Sequence, residues 1–169
     1  MLRTVCSYLL RPLAALVFTA SILSSAVQAR EITTLAIITA DGSRHDLDAD
    51  KIAALPQHTL DTHTAWTEGV QHFDGVLLRD VLAVAGIKAD NAKDKVLEAL
   101  ALNDFRVEIP ATDAFQYDVL LAQKINGKAL SRRDKGPFWI IYPRDQHAEL
   151  NDSRYDHRWA WQLKQLQIK

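Results

Sequence analysis

The stretch RRDKGPFWIIYPRD, residues 132–145, decides how we interpret the fold. Its centre, FWIIY, is a run of five large apolar or aromatic residues with a proline on each side. Alternate residues of a strand point to opposite faces, so both faces of this one would be apolar. That pattern predicts a central strand of a sheet, buried on both sides. Four cations surround it: Arg132, Arg133, Lys135 and Arg144.

Strand patterns continue on both sides of this stretch. Residues 95–110 predict two strands around an Asn103-Asp104 turn. Residues 119–131 fit either a hairpin about Asn126-Gly127 or a helix end followed by a turn, and we favour the hairpin. Three further segments are typical of strands or extended chain: residues 33–39, 58–67 and 158–169.

Two segments predict helices. Residues 48–56 would begin at an Asp48 cap and end at Pro56. FDGVLLRDVLAVAG, residues 73–86, has helical apolar spacing, with Asp74 as its cap and Gly86 as its end. Because strands outnumber helices and do not alternate with them regularly, we predict an α+β class: a single domain with a mixed β-sheet and a few short helices.

Residues 1–29 predict a cleaved export signal. Arg3 and Arg11 precede an apolar run at residues 12–27, and Val27 and Ala29 are small enough for a peptidase site. An uncleaved N-terminal anchor is the alternative interpretation. We therefore predict a mature domain of residues 30–169 in the periplasm, without a membrane span after cleavage. No twin-arginine pair precedes the apolar run, which favours export of the unfolded chain.

The composition excludes several kinds of chemistry for this mature domain. The only cysteine, Cys6, lies in the predicted signal, so the domain has no thiolate nucleophile or metal ligand. Loss of Arg3 and Arg11 leaves 18 Lys+Arg against 21 Asp+Glu, a net charge of −3. No basic run suggests nucleic acid. No Gly-x-Ser-x-Gly motif suggests a serine nucleophile.

The histidines and carboxylates give weak signals. His58, His63 and His72 lie within one stretch, but their spacing does not place them on one face of a helix or strand. We expect solvated or hydrogen-bonded histidines rather than a metal site. Carboxylate pairs are available, but exposed, solvating charge is their default interpretation.

Aromatic rings next to polar groups give the more informative pattern. Flat rings provide stacking faces, while Asn, Asp and Arg provide hydrogen bonds to the edge of a ligand. We predict a pocket for a planar heterocycle. Each ring taken alone is more often a core residue. The candidate binding residues are Trp66, Thr67, Phe73, Asn103, Asp104, Lys135, Trp139, Tyr142 and Arg144.

The same segments resemble the molybdopterin-binding domain of the sulfite oxidase superfamily across residues 33–169. The resemblance is carried by TAWTEG (64–69), FDGVLLRDVLAVAG (73–86), NDFRVEIPATDA (103–114) and LLAQKINGKAL (120–130). It implies that fold and a pterin cofactor. Catalytic members of the superfamily hold molybdenum through a cysteine just before the turn that Asn103-Asp104 would form, and no cysteine is present there. We therefore expect no molybdenum.

The chain is also similar to small, cysteine-free periplasmic members of this superfamily that bind reduced pterins. Those proteins signal to the periplasmic region of a membrane GGDEF/EAL protein, a diguanylate cyclase/phosphodiesterase that controls cyclic-di-GMP. The resemblance implies a pterin-binding sensor with that partner and no catalytic residues. Two alternatives stay open: a molybdopterin-dependent oxidoreductase or its accessory subunit, and an interaction domain whose aromatics serve only the core. The polar segment 145–158 is a candidate cover for the pocket or a partner surface, with a solvated connection as the alternative.

Overall fold

The computed structural model describes residues 33–169 and confirms the predicted α+β class, with two β-sheets and a few short helices. The predicted export signal, residues 1–29, lies outside the described residues. The strands are β1 (Leu35–Ile38), β2 (Arg44–Leu47), β3 (Gln57–Thr62), β4 (Gln71–Leu77), β5 (Val96–Ala101), β6 (Arg106–Pro110), β7 (Leu120–Ile125), β8 (Lys128–Ala129), β9 (Trp139–Ile141) and β10 (Leu163–Ile168). The α-helices are α1 (Ala49–Ala53), α2 (Leu78–Ala83) and α3 (Asp113–Gln116). Two 3-10 helices, Ala148–Asn151 and Ser153–Arg158, follow β9.

The first sheet is mixed and has the strand order β2-β1-β10-β5-β6. Its β1 and β10 are parallel, while its other neighbours are antiparallel. The second sheet is antiparallel, in the order β3-β4-β7-β8, and β9 also pairs with β7. The C-terminal strand β10 therefore lies in the middle of the first sheet, between two strands distant from it in sequence.

Local turn and capping chemistry behaves as predicted. The Asp48 side chain accepts a hydrogen bond from Lys51 N and caps α1. Asn126 and Gly127 both have positive φ angles, 50° and 74°, as a tight hairpin turn between β7 and β8 requires. The Asn103-Asp104 turn joins β5 to β6, with Asp104 at φ 65°.

The helix predicted for residues 73–86 is wrong in its first half. Residues up to Leu77 belong to β4, and Leu77 rather than Asp74 is the N-cap of α2. β4 pairs with both β3 and β7, so the tertiary ladder overrides the helical spacing. Gly75 permits this close pairing, because a Cβ there would lie 2.1 Å from Leu121 O. Gly86, at φ 75°, does end the helical segment as predicted.

The strand predicted at the centre of the opening stretch is also corrected. Only Trp139–Ile141 form a strand, β9, and its strand neighbour is β7 alone. On its other side the chain around residues 160–163 supplies single hydrogen bonds, from Ile140 N to Ala160 O and from Leu163 N to Phe138 O. All three residues of β9 are nevertheless fully buried, and this irregular segment lies along the edge that a regular strand would occupy.

The C-terminal prediction was too long. Residues 158–169 were expected to form one strand, but β10 begins at Leu163. Residues 159–162 form a non-strand segment that crosses between the two sheets: Gln162 N donates to Lys135 O, and Leu102 N donates to Gln162 O. We call Trp159–Gln162 the bridging segment.

Candidate functional site

An aromatic pocket of about 220 Å³ lies where the bridging segment meets the start of the Asn103-Asp104 turn. Its lining combines four aromatic rings with a carboxylate, an amide and an imidazole. The residues that line it are Trp66, Ala101, Asn103, Phe105, Asp156, His157, Trp159, Ala160 and Trp161. A more open cleft of about 400 Å³ elsewhere is lined by residues such as Asp41, His45 and Lys95, but by no Phe, Tyr or Trp.

The Trp66 ring is the centre of the aromatic cluster. Its ring centroid lies 5.3 Å from that of Trp161, 5.7 Å from that of Trp159 and 6.3 Å from that of Trp139. The pairs with Trp161 and Trp139 are edge-to-face, an arrangement that favours aromatic contact beyond simple burial. Trp66 is half-buried, so it packs on the core and still contributes surface to the pocket.

A threonine turn fixes Trp66 in this position. The Thr64 hydroxyl accepts a hydrogen bond from Trp66 N at 3.0 Å and lies 2.8 Å from the Thr67 hydroxyl. Thr64 is buried, so its hydroxyl needs these partners. Thr67, a predicted binding residue, therefore does not line the pocket but stabilises the turn that positions Trp66.

Asn103 and Phe105 form the opposite rim. The Asn103 side-chain oxygen accepts from Phe105 N at 3.1 Å, which closes the turn between β5 and β6. Phe105 is 55% exposed although it is a large apolar residue. Asp104, the other predicted turn residue, points elsewhere and binds Lys164 at 2.7 Å. That contact lowers the pKa of the Asp104 carboxyl below its usual value.

Three predicted binding residues, Phe73, Trp139 and Tyr142, are core residues with no exposed surface. The Trp139 indole N–H donates to Trp159 O at 3.3 Å, and its ring packs edge-on against Phe73. A ring buried on both faces offers no stacking surface. Trp139 therefore supports Trp66 from behind and does not line the pocket.

The Tyr142 hydroxyl belongs to a buried polar group that lies outside the pocket lining. Tyr142 donates to Asp113 at 2.8 Å, and Arg158 donates to the same carboxylate oxygen at 2.6 Å. Burial, followed by the charge of Asp113, raises the pKa of Tyr142 well above its usual value, so the hydroxyl remains a donor. The contact between Arg158 and Asp113 attaches the end of the second 3-10 helix to α3.

The two remaining predicted cations lie outside the pocket lining. Lys135 Nζ lies 5.4 Å from the centroid of the Trp139 ring and pairs with Asp134. Arg144 donates to Asn151 and lies 3.4 Å from Asp156, a residue of the pocket lining. Neither cation lines the pocket, although Arg144 helps to place one of its polar residues.

Seven residues of the pocket lining were not predicted as binding residues: Ala101, Phe105, Asp156, His157, Trp159, Ala160 and Trp161. A signal was present in the sequence. The spacing W-A-W is unusual for a surface strand, and it follows directly on the polar segment that was considered as a pocket cover. The polar segment 145–158 does reach the pocket, because Asp156 and His157 of the second 3-10 helix line it.

The predicted histidine stretch forms separate carboxylate pairs. His63 Nδ1 lies 2.9 Å from Asp145, and His72 Nδ1 lies 2.6 Å from Asp61. Within residues 33–169, no group of three or more His, Cys, Asp or Glu side chains is arranged to hold a metal ion. Also within that range, no helix has the length and apolarity needed to cross a membrane.

The His72–Asp61 pair predicts a pH effect on stability. The hydrogen bond to Asp61 raises the pKa of His72 above its ordinary value. A raised folded-state pKa stabilises the fold below the unfolded pKa of about 6.5, and this contribution is lost as the pH rises through the folded-state pKa. In an NMR titration, Asp61→Asn should lower the pKa of His72 towards its ordinary value, whereas the exposed Asp118→Asn should not. An unchanged pKa in Asp61→Asn would contradict the assignment.

Comparison with known proteins gives a family and a fold. Residues 30–146 match the oxidoreductase molybdopterin binding domain. No curated protein matches the sequence. The crystal structure of the sulfane dehydrogenase SoxCD from Paracoccus pantotrophus is similar, with a TM-score of 0.58 and 20% sequence identity. The alignment covers 80% of this chain but 37% of that chain, so the likeness concerns one part of a longer protein.

Proposed function

We propose that this chain, which belongs to the oxidoreductase molybdopterin-binding domain family, binds a free pterin in the Trp66 pocket and acts as a sensor. The observation that carries the proposal is the pocket lining: four aromatic rings with Asn103, Asp156 and His157 between them. A pterin is a flat, fused heterocycle with hydrogen-bonding groups around its edge. Rings offer it stacking faces, and the polar side chains offer it edge contacts.

The pocket residues fit the organic part of the family's cofactor. The pocket has a volume of about 220 Å³. That is below the range of roughly 300–1,000 Å³ that is usual for pockets that bind drug-sized ligands. A pterin ring with a short substituent suits this size better than a complete molybdopterin. Trp66 and Trp161 would hold such a ring by stacking, and Asp156 would face its polar edge.

The donor set does not fit a molybdenum centre of the sulfite oxidase type. Where the resemblance implies a cysteine ligand, just before the Asn103-Asp104 turn, the pocket is lined by Ala101. An alanine methyl cannot replace a soft thiolate. The proposal therefore includes no molybdenum and no redox step. Metal analysis of protein purified from its native host tests this part, since stoichiometric molybdenum would favour the alternative, an oxidoreductase or its subunit.

Trp66→Ala should weaken pterin binding by about 1–3 kcal/mol, which is the usual effect of removing one stacking ring from under a base. Titration of the purified protein with tetrahydropterins, followed by calorimetry or by quenching of tryptophan fluorescence, measures this change. Val84→Ala, a change at an exposed apolar residue that does not line the pocket, is the control. If no reduced pterin binds the wild-type protein, the proposed function is wrong.

The proposed sensor role includes a partner and a location. We propose that the protein acts in the periplasm and that its pterin-bound form contacts the periplasmic region of a membrane GGDEF/EAL protein. The support is that the pocket is lined in part by residues 156 and 157, at the end of a long polar segment with many exposed residues. Co-purification with the partner should depend on pterin and should be lost when residues 145–155 are replaced. Co-purification of that variant at wild-type strength would contradict this role of the segment.

A further inference from the structure

Two buried polar atoms of the pocket residues have no hydrogen-bond partner within the protein. Among residues 33–169, three side-chain nitrogen or oxygen atoms are buried without a hydrogen bond, and two of them are Trp159 Nε1 and Asp156 Oδ1. Both residues line the pocket. A buried donor or acceptor left unpaired costs about 1–3 kcal/mol. Unpaired groups are therefore uncommon, and two of them on residues that line one pocket indicate a missing polar partner.

The Asp156 carboxylate is held in place by an ion pair that leaves its Oδ1 without a hydrogen bond. Arg144 Nη1 lies 3.4 Å from Oδ1, an ion pair but not a hydrogen bond. Arg144 is itself fixed by two hydrogen bonds to Asn151. Two residues beyond Asp156, Arg158 is fixed by Asp113. Arginine contacts therefore hold both ends of the short segment that carries the carboxylate.

The indole of Trp159 is equally constrained. Trp159 is 1% exposed. Its carbonyl accepts from Trp139 Nε1, and its ring packs 5.9 Å from Tyr142 and 5.7 Å from Trp66. The ring cannot turn its N–H to solvent without breaking these contacts. A ligand with an acceptor atom would supply the hydrogen bond that this N–H lacks.

Asp156 Oδ1 and Trp159 Nε1 indicate which hydrogen-bonding groups a ligand would carry at its edge. A carboxylate accepts two parallel hydrogen bonds well when the ligand presents adjacent N–H groups. The pyrimidine ring of a pterin has that arrangement in its 2-amino group and N3–H, and it carries acceptors at its carbonyl oxygen and ring nitrogens. A lumazine differs at position 2, where a carbonyl oxygen replaces the amino group and would face the carboxylate.

We infer that Asp156 accepts from the 2-amino and N3–H groups of the ligand, and that Trp159 Nε1 donates to an acceptor of the same ring system. The pocket thus selects 2-amino-4-oxopteridines over 2,4-dioxopteridines. This inference rests on the proposed function, because it concerns the same pocket. The inference adds a preference for the 2-amino group of the ligand and assigns that preference to the Asp156 carboxylate.

The experiment compares 6,7-dimethylpterin with 6,7-dimethyllumazine, in which a carbonyl oxygen replaces the 2-amino group and N1 carries a hydrogen. Calorimetric titration of the purified wild-type protein should show the pterin binding about 10-fold or more tightly, the discrimination expected of a well-placed paired contact. Asp156→Asn should remove this preference, since an amide can donate to the lumazine carbonyl. Asp156→Glu, which keeps the carboxylate, should retain part of the preference.

Controls separate the role of Asp156 from general effects. Asp46→Asn removes the same charge from an exposed arginine pair that does not line the pocket, and it should leave both affinities unchanged. Trp159→Phe keeps a ring but removes the N–H, so it should weaken both ligands to a similar extent. Thermal unfolding of each variant shows whether it is folded at the temperature of the titration.

The outcomes separate the assignment of Asp156 from pterin binding itself. If the wild-type protein binds both ligands equally, or if Asp156→Asn keeps the wild-type ratio of affinities, the assignment of Asp156 is overturned while pterin binding stands. If neither ligand binds, nor any reduced pterin, both the inference and the proposed function are overturned. A ratio that collapses only in Asp156→Asn supports the inference.

Discussion

Asp113→Ala should lower the free energy of unfolding by about 3–5 kcal/mol, the usual result when one partner of a buried charged group is removed. Asp113 is 4% exposed, and one of its oxygens accepts hydrogen bonds from both Tyr142 and Arg158. After the substitution, the buried hydroxyl and the guanidinium lose their acceptor together. Chemical denaturation followed by far-UV circular dichroism measures the change.

The same substitution should weaken ligand binding. Arg158 directly precedes the bridging segment and follows Asp156 by two residues, so its contact with Asp113 fixes the chain on which five pocket residues lie. Asp118→Ala, which removes an exposed carboxylate paired with Arg79, is the matched control and should cost no more than about 1 kcal/mol. Equal denaturation midpoints for the two variants would show that the buried group contributes nothing to stability.

The parts of the fold that could be predicted from the sequence are those decided within a few residues. A helix cap at Asp48, a hairpin turn at Asn126-Gly127 and the Asn103-Asp104 turn depend on local backbone and side-chain chemistry. The errors in the predicted secondary structure arose where pairing between strands distant in sequence determines the conformation. Residues 73–77 have spacing that suits a helix, but strands on both sides incorporate them into a sheet.

The candidate site divides in the same way. Trp66 and Asn103 were identified because an aromatic residue or an amide beside a turn is a recognisable feature, and both line the pocket. Asp156, Trp159 and Trp161 were missed because residues 158–169 were interpreted as one strand. A strand would have alternated these side chains across a sheet. Instead, the bridging segment gathers them against Trp66, and no local rule predicts such a crossing between sheets.

Trp139→Ala should lower the free energy of unfolding by about 3–5 kcal/mol, the range for deleting a buried indole. The sequence alone suggested a stacking wall that could be removed without unfolding the domain. In the structure Trp139 is fully buried in β9, touches Phe73, Trp66 and Trp161, and donates to Trp159 O. For a chain of this size, that loss corresponds to a fall in Tm of roughly 6–20 °C in a thermal unfolding experiment.

The effect of Trp139 on binding should be indirect, and a double-mutant comparison tests this. If Trp139 acts only by supporting Trp66, then adding Trp139→Ala to Trp66→Ala should cause little further loss of pterin affinity, measured at a temperature where both variants are folded. Direct stacking on Trp139 would make the two losses add. Additive losses, or a Trp139→Ala variant as stable as wild type, would mean that this ring meets the ligand and that the pocket extends towards β9.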